Sequence, residues 1–229
     1  MVKQERAART REALVRAAAE VFAEEGFVTA SIAAISRRAG VSAGGLHFHF
    51  ASKDALARAV EDRAAQWLRR ITVAAAPPPA TAAGEAAAAG AASLQVLVDS
   101  SHALMALLAR EPVVRAGFGL CADPSWSGGV DLRRQWRLWV EAVMADAARE
   151  GALAPGLVPR DAARGVVAAT VGLEVLGAYD REWTAPHTLT RFWTLMLPRL
   201  AAAPALEALL PQGSHRASPA PPTGTTESD

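Results

Sequence analysis

Little in this 229-residue sequence suggests a covalently stapled or sheet-based protein. It has a single cysteine, Cys121, which excludes an intramolecular disulfide framework and any cysteine-rich zinc module. No segment supplies the ~20 uninterrupted apolar residues that a membrane span needs. The opening VKQERAARTRE is charged, with no apolar stretch behind it, so a secretory signal is not expected. β-Branched alternation is rare and Asn-Gly and Asp-Gly hairpin turns are absent, which argues against a sheet. HExxH, a phosphate-binding P-loop and a GxGxxG following a strand are missing as well. Carboxylates are scattered, with no pair that the sequence places on one face in an apolar setting. What remains is a cytoplasmic, helical, non-enzymatic protein that crosses no membrane. Its 51% apolar content is enough for a real core.

The net charge of +1 conceals an asymmetry. Residues 1–70 hold twelve Lys/Arg against eight Asp/Glu, and the rest hold twelve against fifteen. A basic N-terminal third on a slightly acidic body suggests one module that faces a polyanion. Leu14, Val15, Ala18, Val21 and Phe22 predict an amphipathic helix over 5–25, stopped by Gly26. Ser31 can cap a short helix ending at Gly40, Ser42 a second running through His49, and Ser52 a longer one carrying Leu56, Val60, Trp67 and Leu68 towards Ile71. Residues 74–92, AAAPPPATAAGEAAAAGAA, have the composition of a flexible connector. Helical periodicity resumes at Ser93. Further helices are predicted near 111–121, 130–150, 160–181 and 187–203, and 123–129 is read as a loop. From Pro211 onward the Pro/Ser/Thr/Gly composition predicts a disordered tail.

Residues 31–53, SIAAISRRAGVSAGGLHFHFASK, carry the most information. A glycine that ends one short helix, a small apolar residue, and a serine that caps the next form the pattern of a helix-turn-helix. The second helix would enter a major groove. Ser42, Ala43, Gly44 and Gly45 head it, and their backbone N–H groups suit a phosphate. Their small side chains permit close approach but offer little base-specific hydrogen bonding. Specificity would then rest on Arg37 or Arg38 near the turn, on His47, and on DNA shape.

Gly40-Val41-Ser42, Leu46-His47-Phe48-His49-Phe50 and Ser52-Lys53 together resemble the DNA-binding signature of TetR-family transcriptional repressors. The resemblance implies a three-helix head followed by a long connecting helix. It also places Lys53 at a phosphate-contacting position. The family usually has tyrosine where this chain has His47, so a contact that depends on imidazole charge would become pH-sensitive. A narrower resemblance rests on VKQERAARTREAL, on VVRAGFGL at 113–120, and on the spacing of Trp136 from Gly172. These are similar to the γ-butyrolactone receptor branch of actinomycetes, which includes both receptors and pseudo-receptors that answer to antibiotics or their intermediates. That branch controls antibiotic production.

Five of the six tryptophans lie beyond residue 120, where large aromatics suit a mostly apolar ligand. The resemblance makes Trp136 a ligand-pocket residue, with Trp139, Trp126, Thr170 and His102 as further candidates. Plain core packing is the alternative for each of them. Thr170 and Glu174 are polar positions on an otherwise apolar helix, and if buried they need a partner. A solvent-facing or dimer-facing stripe is as reasonable for Glu174. Cys121 reads as a small core residue. His47 and His49 point in different directions, so neither a metal site nor any cofactor is expected.

The expectation is therefore an all-α protein of two domains: a helix-turn-helix head over 1–53 and a ligand-binding and dimerisation domain over 54–210, with 54–73 connecting them and 211–229 a disordered tail. Phosphates would be met by Arg6, Arg9, Arg11, Ser42, His47, His49 and Lys53. The partners would be a palindromic double-stranded DNA operator, a small-molecule effector and a second copy of the chain. A ligand-sequestering protein whose head no longer reads DNA is the alternative, kept open by Gly45 and His47.

Overall fold

The computed structural model describes residues 2–74 and 86–214. Ten α-helices follow one another among the described residues: α1 (Val2–Thr29), α2 (Ile32–Ala39), α3 (Ala43–His49), α4 (Lys53–Ala74), α5 (Ala86–Arg110), α6 (Pro112–Leu120), α7 (Leu132–Arg149), α8 (Pro159–Gly177), α9 (Pro186–Leu200) and α10 (Ala203–Leu206). A 3-10 turn, Arg181–Thr184, precedes α9. The one extended pairing among them is an isolated bridge between Leu153 and Ala201.

Capping chemistry sets the boundaries of the N-terminal helices. Ser31 Oγ accepts from the Ala34 N–H at 3.1 Å, Ser42 Oγ from Gly45 at 3.0 Å, and Ser52 Oγ from Ala55 at 3.1 Å. Each satisfies one of the N–H groups that the first turn of a helix leaves unpaired. Gly40 closes α2 in the left-handed conformation, φ 68°, which a side chain would resist. Gly26 breaks α1 at φ 78°, ψ 163°, yet a further turn reaches Thr29. The helix does not stop at the glycine but is redirected there. That turn places Phe27 against the body of the protein.

Leu14, Ala18, Val21, Ile35, Leu46 and Leu56 are all buried and form the small core of the head. α6 packs against both α1 and α4, and α7 lies against α5 and α8. At the α4–α6 crossing a Cβ on Gly117 would fall 2.5 Å from the Ala64 Cβ, so the two backbones approach as closely as two small residues allow. Ala91–Arg110 of α5 is long and apolar enough to cross a membrane by composition alone, but most of it is buried inside the fold. Its apolar surface is the centre of the body core, with Leu94, Leu97, Val98 and Met105 fully covered.

Two expected boundaries shift. The segment read as a connector over 74–92 is helical from Ala86, and residues 75–85 lie outside the described residues. The body does not end at 210. Leu210 and Gln95 exchange N–H···O bonds between backbone and side-chain amide, His102 Nε2 stands 2.9 Å from Pro211 O, and Ser214 binds Asp99 through its amide and hydroxyl. Gln95, Asp99 and His102 share one stripe of α5 and answer the polar groups of residues 210–214, which lie along it as a C-terminal strap. Composition pointed to disorder at 211–214, and these polar contacts overrule it. The remainder of the expected tail, 215–229, is outside the described residues.

Candidate nucleic-acid interface and effector pocket

α2, the turn and α3 present one outward surface. Arg37, Ser42, Ala43, Gly44 and His47 are exposed, while Leu46 and Phe50 anchor α3 from beneath. Ser42 caps the helix as an acceptor, and its own O–H stays available as a donor. Gly40-Val41-Ser42-Ala43-Gly44 also spells the glycine-x-serine-x-glycine string of a nucleophile elbow. That elbow requires a strand before the serine, and here α2 precedes it, so the string is a helix-turn-helix corner. A Cβ at Gly44 would meet nothing within 4 Å, whereas one at Gly45 would sit 3.3 Å from Ser42 Oγ.

Phe48, which the sequence reading left without a role, is 82% exposed on α3, edge-on to the half-buried His49 ring at 5.2 Å. Its signal was legible: an apolar residue at a position where helical periodicity calls for a polar one. Arg6, Arg9 and Arg11 are exposed along α1, and the Arg11 guanidinium lies 4.9 Å over the Phe50 ring, beside the end of α3.

Two of the expected DNA-contacting cations are already engaged. Arg38 forms ion pairs with Glu20 and Glu24 of α1, and its guanidinium holds the Glu24 carboxyl below the usual range. Lys53 Nζ donates to the carbonyls of Phe27 (2.7 Å), Val28 (3.2 Å) and Ala30 (3.0 Å) and lies 4.5 Å over the Phe27 ring. An ammonium has three N–H donors, so Lys53 acts as the cap on the carbonyls that α1 leaves open at its end. The phosphate role expected of it would compete with that cap. Arg37 keeps its exposed place beside the turn.

The candidate effector residues divide into three groups. Trp136 and Trp139 stack with ring centroids 5.0 Å apart, and the Trp136 N–H donates to Thr170 Oγ1 at 2.9 Å. These three therefore meet between α7 and α8. Glu174, one turn beyond Thr170, is held by Arg133 through two N–H···O contacts of 3.0 and 3.1 Å, so the partner its burial required is an arginine of α7. Burial pushes its carboxyl up, against the pull of that arginine. Trp126 lies elsewhere. Its N–H donates to Glu61 Oε1 of α4 at 2.8 Å, and its ring meets Phe27 of α1 edge-on at 5.0 Å. His102 faces the C-terminal strap, as described above. Tryptophan content could not separate these environments, because the partners come from distant parts of the chain. Cys121 is partly buried, with its thiol pushed up by burial, consistent with a small packing residue.

Glu61 gave no signal in the sequence. It sits on α4 among charged residues, yet it is 2% exposed. Between the head and the body, a cleft of about 490 Å³ separates Glu20, Glu24 and Arg38 from Arg115, Tyr179 and Arg181.

Comparison with known proteins accords with this geometry. Residues 14–60 match the model described as bacterial regulatory proteins, tetR family. Over 217 residues, covering 93% of this chain and 71% of the relative, the sequence is 30% identical to the A-factor receptor protein of Streptomyces griseus. The structure superposes on the crystal structure of a gamma-butyrolactone receptor (ArpA-like protein) with a TM-score of 0.73, at 23% identity, covering 89% of this chain and 94% of that one. Full-length TylP, a tetR regulator from Streptomyces fradiae, gives a TM-score of 0.64 at 28% identity, covering 90% and 93%. The chain belongs to the tetR family of bacterial regulatory proteins, and within it to the γ-butyrolactone receptor branch. It is a ligand-responsive, DNA-binding transcriptional repressor of that branch.

Proposed function

We propose that two copies of this chain hold a palindromic operator and that a small signalling molecule releases them. The effector class is a γ-butyrolactone or butenolide, or an antibiotic intermediate, and the genes controlled are those of secondary metabolism. The reading is carried by the exposed α2–α3 surface, where Arg37, Ser42, His47 and Phe48 face outward from helices capped by Ser31 and Ser42. Arg6, Arg9 and Arg11 add phosphate contacts along α1, and DNA affinity falls steeply with salt. The work is done in the cytoplasm, where the chromosome lies.

Dimerisation is supported by exposed apolar side chains at the end of α8, in the turn that follows it and on α9. Leu176, Tyr179, Trp183 and Leu195 are 43%, 90%, 41% and 74% exposed, more apolar surface than a monomer leaves uncovered without reason. A two-fold pair must place its α3 helices ~34–36 Å apart to reach successive major grooves. An effector that binds the DNA-incompetent arrangement more tightly draws the population towards it.

The test is a footprint on the DNA upstream of the gene for this chain, with and without an organic extract of the native culture. Protection of a palindrome that the extract abolishes is the expected result. No protected site at low salt would replace the repressor with a ligand-sequestering protein, and protection that no extract disturbs would remove the effector from the proposal.

A further inference from the structure

The side chain of Trp126 touches two elements that must move relative to each other if a ligand is to steer the head. Its indole N–H holds Glu61 in the middle of α4, and its ring packs on Phe27 in the turn that follows the Gly26 break of α1. Phe27 is in turn capped and covered by Lys53, the first residue of α4. The segment of α4 around Glu61 is gripped from a second direction, because a Cβ on Gly117 of α6 would lie 2.5 Å from the Ala64 Cβ and 3.9 Å from Glu61 Cα. Gly129, at φ 146°, closes over the carboxylate so tightly that a Cβ there would overlap Oε2.

Glu61 is a costly residue for this place. Its Oε2 is buried without a hydrogen-bond partner, and a half-satisfied buried carboxylate is less stable than an apolar side chain of similar size. Packing alone does not account for it. A contact held by one indole N–H is also one that a modest displacement can break. Asp131, in the same loop as Trp126, caps α7, and α7 carries Trp136 and Trp139. A shift of α7 on effector entry therefore reaches Trp126 through a short, capped connection.

We infer that the Trp126–Glu61 contact is the latch that sets the angle of the DNA-binding head on the body, and hence the separation of the two reading helices in the dimer. The inference rests on the repressor reading above. Trp126 and Glu61 are positioning residues and do not touch DNA.

The test uses the full chain and a duplex that it selects from a random-sequence pool. Affinity is measured for that duplex, for a single half-site, and for versions with a base pair or two inserted at the centre. Trp126→Phe keeps the ring on Phe27 and removes the N–H. It is expected to lower affinity for the intact palindrome about tenfold, to leave the single half-site within about twofold, and to flatten the preference for spacing. Glu61→Leu, which removes the acceptor without leaving a buried charge, should do the same. Glu61→Gln retains a carbonyl acceptor for the indole and should retain the spacing preference. Equal losses on palindrome and half-site, or no loss on either, would overturn the latch. Failure of the unsubstituted chain to select any duplex would instead remove the repressor reading, and the latch with it.

Discussion

The indole N–H of Trp136 donates to Thr170 Oγ1 at 2.9 Å, and both residues are 1% exposed. The threonine hydroxyl in turn donates to the backbone carbonyls of Val166 or Val167. The tryptophan is thus a core residue with a satisfied polar handle, stacked on Trp139. If an effector enters here, it does so by exchanging one of these contacts for its own.

Trp136→Ala would open a large cavity and cost ~3–5 kcal/mol, so loss of ligand response in that variant would be confounded with loss of fold. Trp136→Phe and Thr170→Val are the cleaner pair. Thr170→Val leaves the indole N–H unpaired and should destabilise by ~1–3 kcal/mol. Both variants should still bind operator, with a weakened release by culture extract. Normal release in both, read by gel shift with chemical denaturation as the stability control, would place the effector elsewhere.

Lys53 caps α1, which separates two effects that sequence alone merges. Lys53→Met should lower unfolding free energy by ~1–3 kcal/mol through the three unpaired carbonyls. It should leave the slope of log affinity against log salt unchanged. Arg9→Ala is expected to behave oppositely, with little change in stability and a slope reduced by about 0.9. A reduced slope for Lys53→Met would return this residue to the phosphate backbone.

Phe48 offers an exposed apolar ring on α3, and the apolar feature that a major groove presents to it is the thymine methyl. With Ala43, Gly44 and Gly45 offering no side-chain hydrogen bonds to bases, an apolar contact becomes a source of specificity. Replacing the contacted thymine by uracil should weaken binding roughly fourfold, the value of one buried methyl. Phe48→Ala should abolish that difference. An unchanged thymine-to-uracil ratio in the variant would show that the ring does not read the methyl.

Burial is the largest influence on the Glu61 carboxyl and pushes it up, while the indole N–H of Trp126 and the charge of Arg58 pull it down and Asp62 pushes it further up. Asp131 and Cys121 line the same small cavity from the loop and from the residue after α6. The net rise means the folded chain holds this proton more tightly than the unfolded chain does. Stability from Glu61 is therefore full below the ordinary glutamate value of about 4.3 and declines as pH climbs through the folded-state value. Glu61→Gln should remove the fall of melting temperature between the ordinary glutamate value and the raised folded-state one, and raise stability at neutral pH. An identical pH profile in the variant would mean that the carboxylate is already relieved of its burial.

The helices and the head were legible in the sequence because their determinants are local. A serine oxygen reaches an amide three residues on, a glycine at position 40 takes the left-handed turn, and apolar residues recur at helical spacing. The boundaries of the α2-turn-α3 unit are set locally, while its stability comes from the core it shares with α1 and α4. What the side chains do once placed was decided by tertiary structure. The partners of Lys53 lie 23 to 26 residues away, that of Trp126 65 away, and that of His102 109 away. No local pattern encodes such pairings. Trp126, read from the sequence as a ligand candidate, donates to a buried glutamate, and Lys53, read as a phosphate contact, also binds the carbonyls at the end of α1. Three polar residues of α5 also ordered a strap that composition assigned to disorder. Local propensity determines which elements form, and the packing of distant elements determines which polar groups are left free to meet a partner.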